Sequence, residues 1–134
     1  MSNFQAESTQ SGDEFEQLVQ QHLLDNGYTI ISLNTKIDGI GVNVDYIAEK
    51  NGVLEYGEAK GGRSGHRKRP GAQRTDNVKK AICNGALLKH HDPNAKYVVY
   101  FSSRPKYGNS SDEMINTALN AKFIDEVRYL EHND

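Results

Sequence analysis

The pair Asn51-Gly52 constrains this chain more than any other feature. It sits between two β-rich runs, Val42 to Glu49 and Val53 to Lys60. Both residues tolerate the positive φ of a type I′ turn, which makes Asn-Gly between such runs the strongest short-range signal for a β-hairpin. A two-residue loop at 51–52 sets Lys50 opposite Val53, so that cross-strand partners sum to 103 (a three-residue turn would break this register). Asp45 then falls opposite Glu58, and Asn43 opposite Lys60. Residues two apart on a strand share a face, so Asp45, Glu58 and Lys60 all project the same way. Opposed carboxylates with Cβ atoms about 5 Å apart repel each other, and a purely structural hairpin gains nothing from them. A divalent cation between them removes the conflict. Mg²⁺, which takes one or two carboxylates plus waters and phosphate oxygens, suits the spacing. The plain structural alternative is an ordinary hairpin with a surface Asp and a surface Glu-x-Lys.

The rest of the chain supplies a setting for that hairpin. At 134 residues it is expected to be one domain, 11–134, preceded by a flexible polar tail over 1–10. Ser11 and Glu14 read as a capping box opening a helix, with Phe15, Leu18, Val19, His22 and Leu23 at helical spacing and Asn26-Gly27 ending it. Tyr28 to Leu33 reads as a strand and Asp38 to Gly41 as a turn. Thr75 is expected to cap a second helix over 76–90 with Val78, Ala81, Ile82 and Gly85 on one face, stopped at His91-Asp92-Pro93-Asn94. Lys96 to Ser102 reads as a buried strand, and Ser111 as the cap of a further helix. Residues 123–130 read equally as its continuation or as an edge strand. The order is αβββαβ and a tail: an α/β fold with a central mixed sheet flanked by helices.

That order, with Asp45, twelve intervening residues and then Glu58-Ala59-Lys60, resembles the PD-(D/E)XK nuclease superfamily, over about residues 12–102. Val44 stands where the motif's name has proline. The resemblance implies a restriction-endonuclease-like core that hydrolyses DNA phosphodiester bonds with Mg²⁺, for which Mn²⁺ is a plausible substitute. Asp45, Glu58 and the Ala59 carbonyl would hold the metal. Lys60 would orient or deprotonate the attacking water and stabilise the charge that develops. The family often adds an acid from the first helix. Glu14 and Glu16 compete for that place, and Glu16, directly after the core aromatic Phe15, is the choice, since Glu14 already has a capping role.

Charge distribution points to the same partner. Net charge is −2, yet residues 60–80 hold eight Lys/Arg against one acid, while the other 113 residues hold eight against seventeen. A patch of this kind neutralises phosphates even on a mildly acidic protein, though a merely solvated basic loop has the same composition. Arg63, His66, Arg67, Lys68 and Arg69 in the glycine-rich segment 61–73 are expected to contact the DNA backbone without reading sequence. Gln73, Arg74 and Lys79 are expected to face the scissile phosphate from the start of the second helix. Cutting both strands of a duplex needs two sites, so a homodimer or higher homo-oligomer is expected. A non-catalytic nucleic-acid-binding protein with the same fold is the alternative.

Other features read as structural. One cysteine, Cys83, excludes an internal disulfide and any multi-Cys zinc site, and reads as a small core residue. His22 reads as a satisfied core histidine, and His90-His91 as a helix end. With no secretory signal and no long apolar run, the chain is expected to be intracellular and not membrane-bound.

Overall fold

The structure is a computed structural model that describes residues 3–61 and 71–131, with side chains described from Glu14 onward. Its elements are α1 (Asn3–Asp25), β1 (Thr29–Ile37), β2 (Val42–Lys50), β3 (Val53–Lys60), a turn of 3₁₀ helix at Gly71–Gln73, α2 (Thr75–His91), β4 (Lys96–Phe101), α3 (Ser110–Asn120) and β5 (Glu126–Tyr129). The five strands form one mixed sheet in chain order: β1, β2 and β3 are antiparallel, and β3, β4 and β5 are parallel. Two parallel steps in the same direction carry both crossover helices to one face. There Val78, Ala81 and Leu88 of α2 and Ile115 and Ala118 of α3 pack on Tyr97, Val99 and Phe101. The other face is covered by α1, whose Phe15, Val19 and Leu23 pack on Tyr46, Ala48, Val98 and Tyr100. No helix among the described residues is long and apolar enough to cross a membrane.

The hairpin has the expected register for its first five pairs, but the expected pairs Asp45–Glu58 and Asn43–Lys60 do not form, because Asn43 pairs with Lys36 of β1 and Lys60 with Phe101 of β4. Asn51 and Gly52 take φ of 53° and 78°, and the pairs Lys50↔Val53 through Tyr46↔Gly57 all follow from that turn. The open choice at the C-terminus resolves as a strand, β5, on the edge beside β4.

Several helix starts differ from expectation. Helix α1 begins at Asn3, so Ser11 lies inside it and is not its N-cap. Nothing between Asn3 and Gln10 interrupts a helix, and once nucleated each further residue adds a bond. Thr75 is the first residue of α2, whose N-cap is Arg74, with no side-chain cap. For α3 the cap is Asn109, whose side chain accepts from the Asp112 N–H, not Ser111. Cys83 is exposed and not core. Buried Val78, Ala81, Gly85 and Leu88 define one stripe of α2; Cys83 is two residues from both Ala81 and Gly85, about 200° around the helix. His22 is half-buried, as a core-edge histidine should be, its Nδ1 3.0 Å from the Tyr100 hydroxyl.

Candidate active site

The β2–β3 ladder stops at Tyr46↔Gly57, one pair short of Asp45 and Glu58. Beyond it, β2 stays with β1 through Val44↔Thr35 and Val42↔Ile37, while β3 continues against β4 as far as Lys60↔Phe101. The two strands of the hairpin therefore part at this point. Asp45 bridges the gap with its side chain: its Oδ2 accepts the Ala59 N–H at 2.7 Å, in place of a ladder bond. A strand residue sends its N–H and C=O toward the same neighbour. The Ala59 carbonyl thus also faces the β2 side, next to Asp45.

Glu58 points to the α2 face and is 2% exposed. Its Oε1 accepts from Asn84 Nδ2 at 2.7 Å, and its Oε2 is 3.8 Å from Lys60 Nζ. Burial first, and then the Asp45 carboxylate, push the Glu58 carboxyl up to about 8, against the pull of Lys60 and the Asn84 bond. Close contact between the two carboxyls acts in the same direction. Two acids and one lysine thus meet at the mouth of a parting hairpin, with the positive charge too little to satisfy both acids.

Asn84 reaches Glu58 because α2 lies close to the sheet. A side chain on Gly85 would collide with the Phe123 carbonyl and the Tyr97 ring, so glycine at 85 permits the approach. Tyr97 in turn donates from its hydroxyl to the Ala81 carbonyl at 3.0 Å, fixing α2 on β4 beneath the site. The motif alone did not reveal Asn84. A polar residue at the edge of the Val78/Ala81/Gly85 stripe was the available signal.

The other candidates are spread around this centre. Glu16 is half-buried on α1, beside Phe15, whose ring belongs to the core on the opposite face of the sheet. Gln73 is exposed in the 3₁₀ turn, and Arg74, at the start of α2, is 3.9 Å from Asp76 in an ion pair. Lys79 lies about 140° around α2 from Asn84, and lines a groove of about 770 Å³ between α2 and α3. Lys80 is exposed and lies four residues ahead of Asn84, about 40° from it around α2. Arg63, His66, Arg67, Lys68 and Arg69 lie outside the described residues. The two ends of their segment are fixed in one place, however. Gly61 and Gly71 both abut Ser102, where any side chain would collide, Ser102 N donates to the Lys60 carbonyl at 3.2 Å, and Ala72 N to that of Ser103 at 3.3 Å. The basic segment therefore leaves and rejoins the fold directly beside Lys60.

Among the described residues no three His, Cys, Asp or Glu side chains gather into a metal cage. The donor set nonetheless fits Mg²⁺, which takes one or two carboxylates and fills its octahedron with water and substrate oxygens. Asp45 Oδ1 and Glu58 Oε2 are the oxygens left by the bonds to Ala59 and Asn84.

No protein-family model matches the chain, and no curated protein matches it. Among solved structures it is similar to SfsA of Pyrococcus furiosus, described in complex with Ca²⁺, with a TM-score of 0.47 and 19% identity. The alignment covers 91% of this chain and 55% of that one, so the chain spans little over half the length of that protein.

Proposed function

We propose that the chain is a metal-dependent deoxyribonuclease with a restriction-endonuclease-like core, its site formed by Asp45, Glu58 and Lys60. One observation carries this reading: two carboxyls and a lysine converge where β2 and β3 part, with Glu58 driven up to about 8 by burial and by Asp45. A buried acid left in conflict with a neighbour, beside an insufficient cation, marks a site awaiting charge. Asp45, Glu58 and the Ala59 carbonyl would hold Mg²⁺, or Mn²⁺ in its place. Bound there, the ion supplies polarisation of the phosphoryl oxygen and a water of lowered pKa. Asn84 fixes Oε1 of Glu58, so that Oε2, 3.8 Å from Lys60 Nζ, is the oxygen that would hold the ion. Lys60 orients the attacking water and stabilises negative charge as it develops on the phosphate. The basic residues of 60–80, whose segment is anchored beside Lys60, bring the DNA backbone to that point. A cut through both strands then calls for two copies of the chain.

Plasmid DNA tests the reading. With Mg²⁺ the chain should convert supercoiled DNA to nicked or linear product, a chelator should stop it, and Lys60→Ala should bind DNA but leave it uncut. DNA that is bound and never cut, with either metal, would make the chain a nucleic-acid-binding protein that has this fold without the chemistry.

A further inference from the structure

A second surface lies at the same end of the sheet, on the segment that follows β4. Arg104 is exposed, and its guanidinium lies 4.4 Å from the centroid of the Tyr129 ring. Tyr129 stacks in turn on Phe101, with centroids 6.1 Å apart and an interplanar angle of 26°. The core thus ends in a pile of aromatic rings topped by a planar cation. Three residues on, Tyr107 is 95% exposed, the most exposed of the large hydrophobic side chains described. Exposed as it is, its backbone is fixed. Asn109 N donates to the Lys106 carbonyl at 3.1 Å, which makes 106–109 a tight turn with Tyr107 at its second position. Gly108, with φ of 78°, supplies the positive φ that a type II turn needs at its third. Asp112 then secures the turn to α3: its Oδ2 accepts the Gly108 N–H at 2.9 Å, while its own N–H goes to the Asn109 side chain at 3.0 Å.

A rigid turn that displays one aromatic ring, with the exposed Lys106 preceding it in the chain and Arg104 three residues before it, has the chemistry of a base-stacking platform. Every base has a π face, and single-stranded nucleic acid is held by aromatic rings and guanidinium planes with cations on the backbone. A protein partner would instead favour a contiguous apolar patch, whereas the residues exposed with Tyr107 along 104–110 are Arg104, Lys106, Gly108 and Ser110, with the Asp112 carboxylate engaged by the Gly108 N–H. The platform is also within reach of the cutting site. Ser102 is bonded to Lys60, and five residues of chain span at most about 18 Å.

We infer that Arg104 and Tyr107 stack the bases of an unpaired strand while Lys106 meets its backbone, so that the DNA taken at the Glu58–Lys60 site carries single-stranded nucleotides beside the cut. The inference rests on the proposed nuclease reading, but its test does not require cleavage. Full-length protein in chelator is titrated into a labelled single-stranded oligonucleotide and into a blunt duplex, with fluorescence anisotropy as readout. Tyr107→Ala should weaken single-strand binding about tenfold or more, and leave duplex binding within about twofold. Tyr107→Phe should keep wild-type affinity, and Arg104→Lys, which keeps the charge but loses the plane, should lose affinity on the single strand alone. A 2-aminopurine base in the oligonucleotide should be quenched by wild type and not by Tyr107→Ala. Wild type that fails to bind the single strand, Tyr107→Ala that binds as wild type does, or an equal loss on both DNAs would overturn the inference. Plasmid cleavage that depends on Lys60 would then leave the nuclease reading standing alone. Tyr107-dependent binding without any cleavage would leave only the platform.

Discussion

Strand β3 buries two glutamates three residues apart on opposite faces of the sheet, and they meet opposite fates. Glu55, 1% exposed, lies under α1. Arg128 donates to both of its oxygens, at 3.0 and 3.2 Å, Tyr46 donates its hydroxyl at 2.7 Å, and Lys96 is 3.6 Å away. Glu58, equally buried, receives Asn84 and a lysine at 3.8 Å, and shares its space with Asp45. Burying a charge costs several kcal/mol unless partners replace the lost water. At Glu55 the fold supplies those partners in full. At Glu58 it supplies a second acid instead. A buried carboxylate alone therefore says little about function; on the nuclease reading proposed above, the completeness of its surroundings is what separates the fastening at Glu55 from the site at Glu58.

The largest expected effect is on chemistry. Glu58→Gln keeps the shape and the Asn84 bond but removes the charge offered to a metal, and should cut plasmid cleavage by on the order of 10³-fold or more. The same variant should change stability without metal by less than about 1 kcal/mol, because Asp45 already disfavours the charge that is lost. Activity retained within tenfold, at matched protein and Mg²⁺, would place the chemistry elsewhere.

The next effect is on stability, from the other side of β3. Arg128→Ala leaves Glu55 buried with only Lys96 and Tyr46, and should cost about 3 kcal/mol by chemical denaturation, the low end for a broken buried pair. Adding Glu55→Gln to it should recover part of that loss, a coupling that a double-mutant cycle reads directly. A cost under 1 kcal/mol for Arg128→Ala would erase the contrast between the two glutamates.

Asn84→Ala should fall below both. It frees Glu58 Oε1 to rotate while leaving Asp45, Glu58 and Lys60 in place. If Glu58 holds the metal as proposed, loss of its outer partner costs about ten- to a hundredfold in metal affinity or activity. A Mg²⁺ titration of cleavage should therefore shift to higher concentration, and an unshifted curve would make Asn84 a packing residue.

What the sequence made legible divides along the same line. Asn51-Gly52 is a local signal, so the turn, its register and the shared face of Asp45, Glu58 and Lys60 were readable from adjacent residues. The place where the ladder ends was not, because it depends on β3 trading β2 for β4, a strand 36 residues further on at its first residue. Asn84 was hidden for a related reason: the phase of α2 is set by Gly85 against Tyr97, a contact between distant elements. Arg128 lay in a stretch readable as helix or strand, and only pairing with β4 decides which of its neighbours it meets. The cap at Ser11 misled because a correct local motif lost to uninterrupted helix on its N-terminal side.

The smallest effect tests what Asp45 does at the parting of the hairpin, and it needs two substitutions. Opposed carboxylates make the pair look dispensable to the fold, yet Asp45 Oδ2 is what the Ala59 N–H has in place of a ladder bond. Asp45→Asn keeps an oxygen for that N–H and removes the charge facing Glu58, so stability without metal should stay within about 0.5 kcal/mol of wild type or rise. Asp45→Ala removes the repulsion too, but strands the Ala59 N–H, and should cost about 1 kcal/mol more than Asp45→Asn. Thermal melts in chelator and in Mg²⁺ read both at once, since a metal that binds only the folded chain raises the melting temperature. That rise should be present in wild type and absent in both variants. If Asp45→Asn alone costs several kcal/mol, the charge itself holds β2 to β3, and Asp45 belongs with Glu55 as a fastening of the sheet.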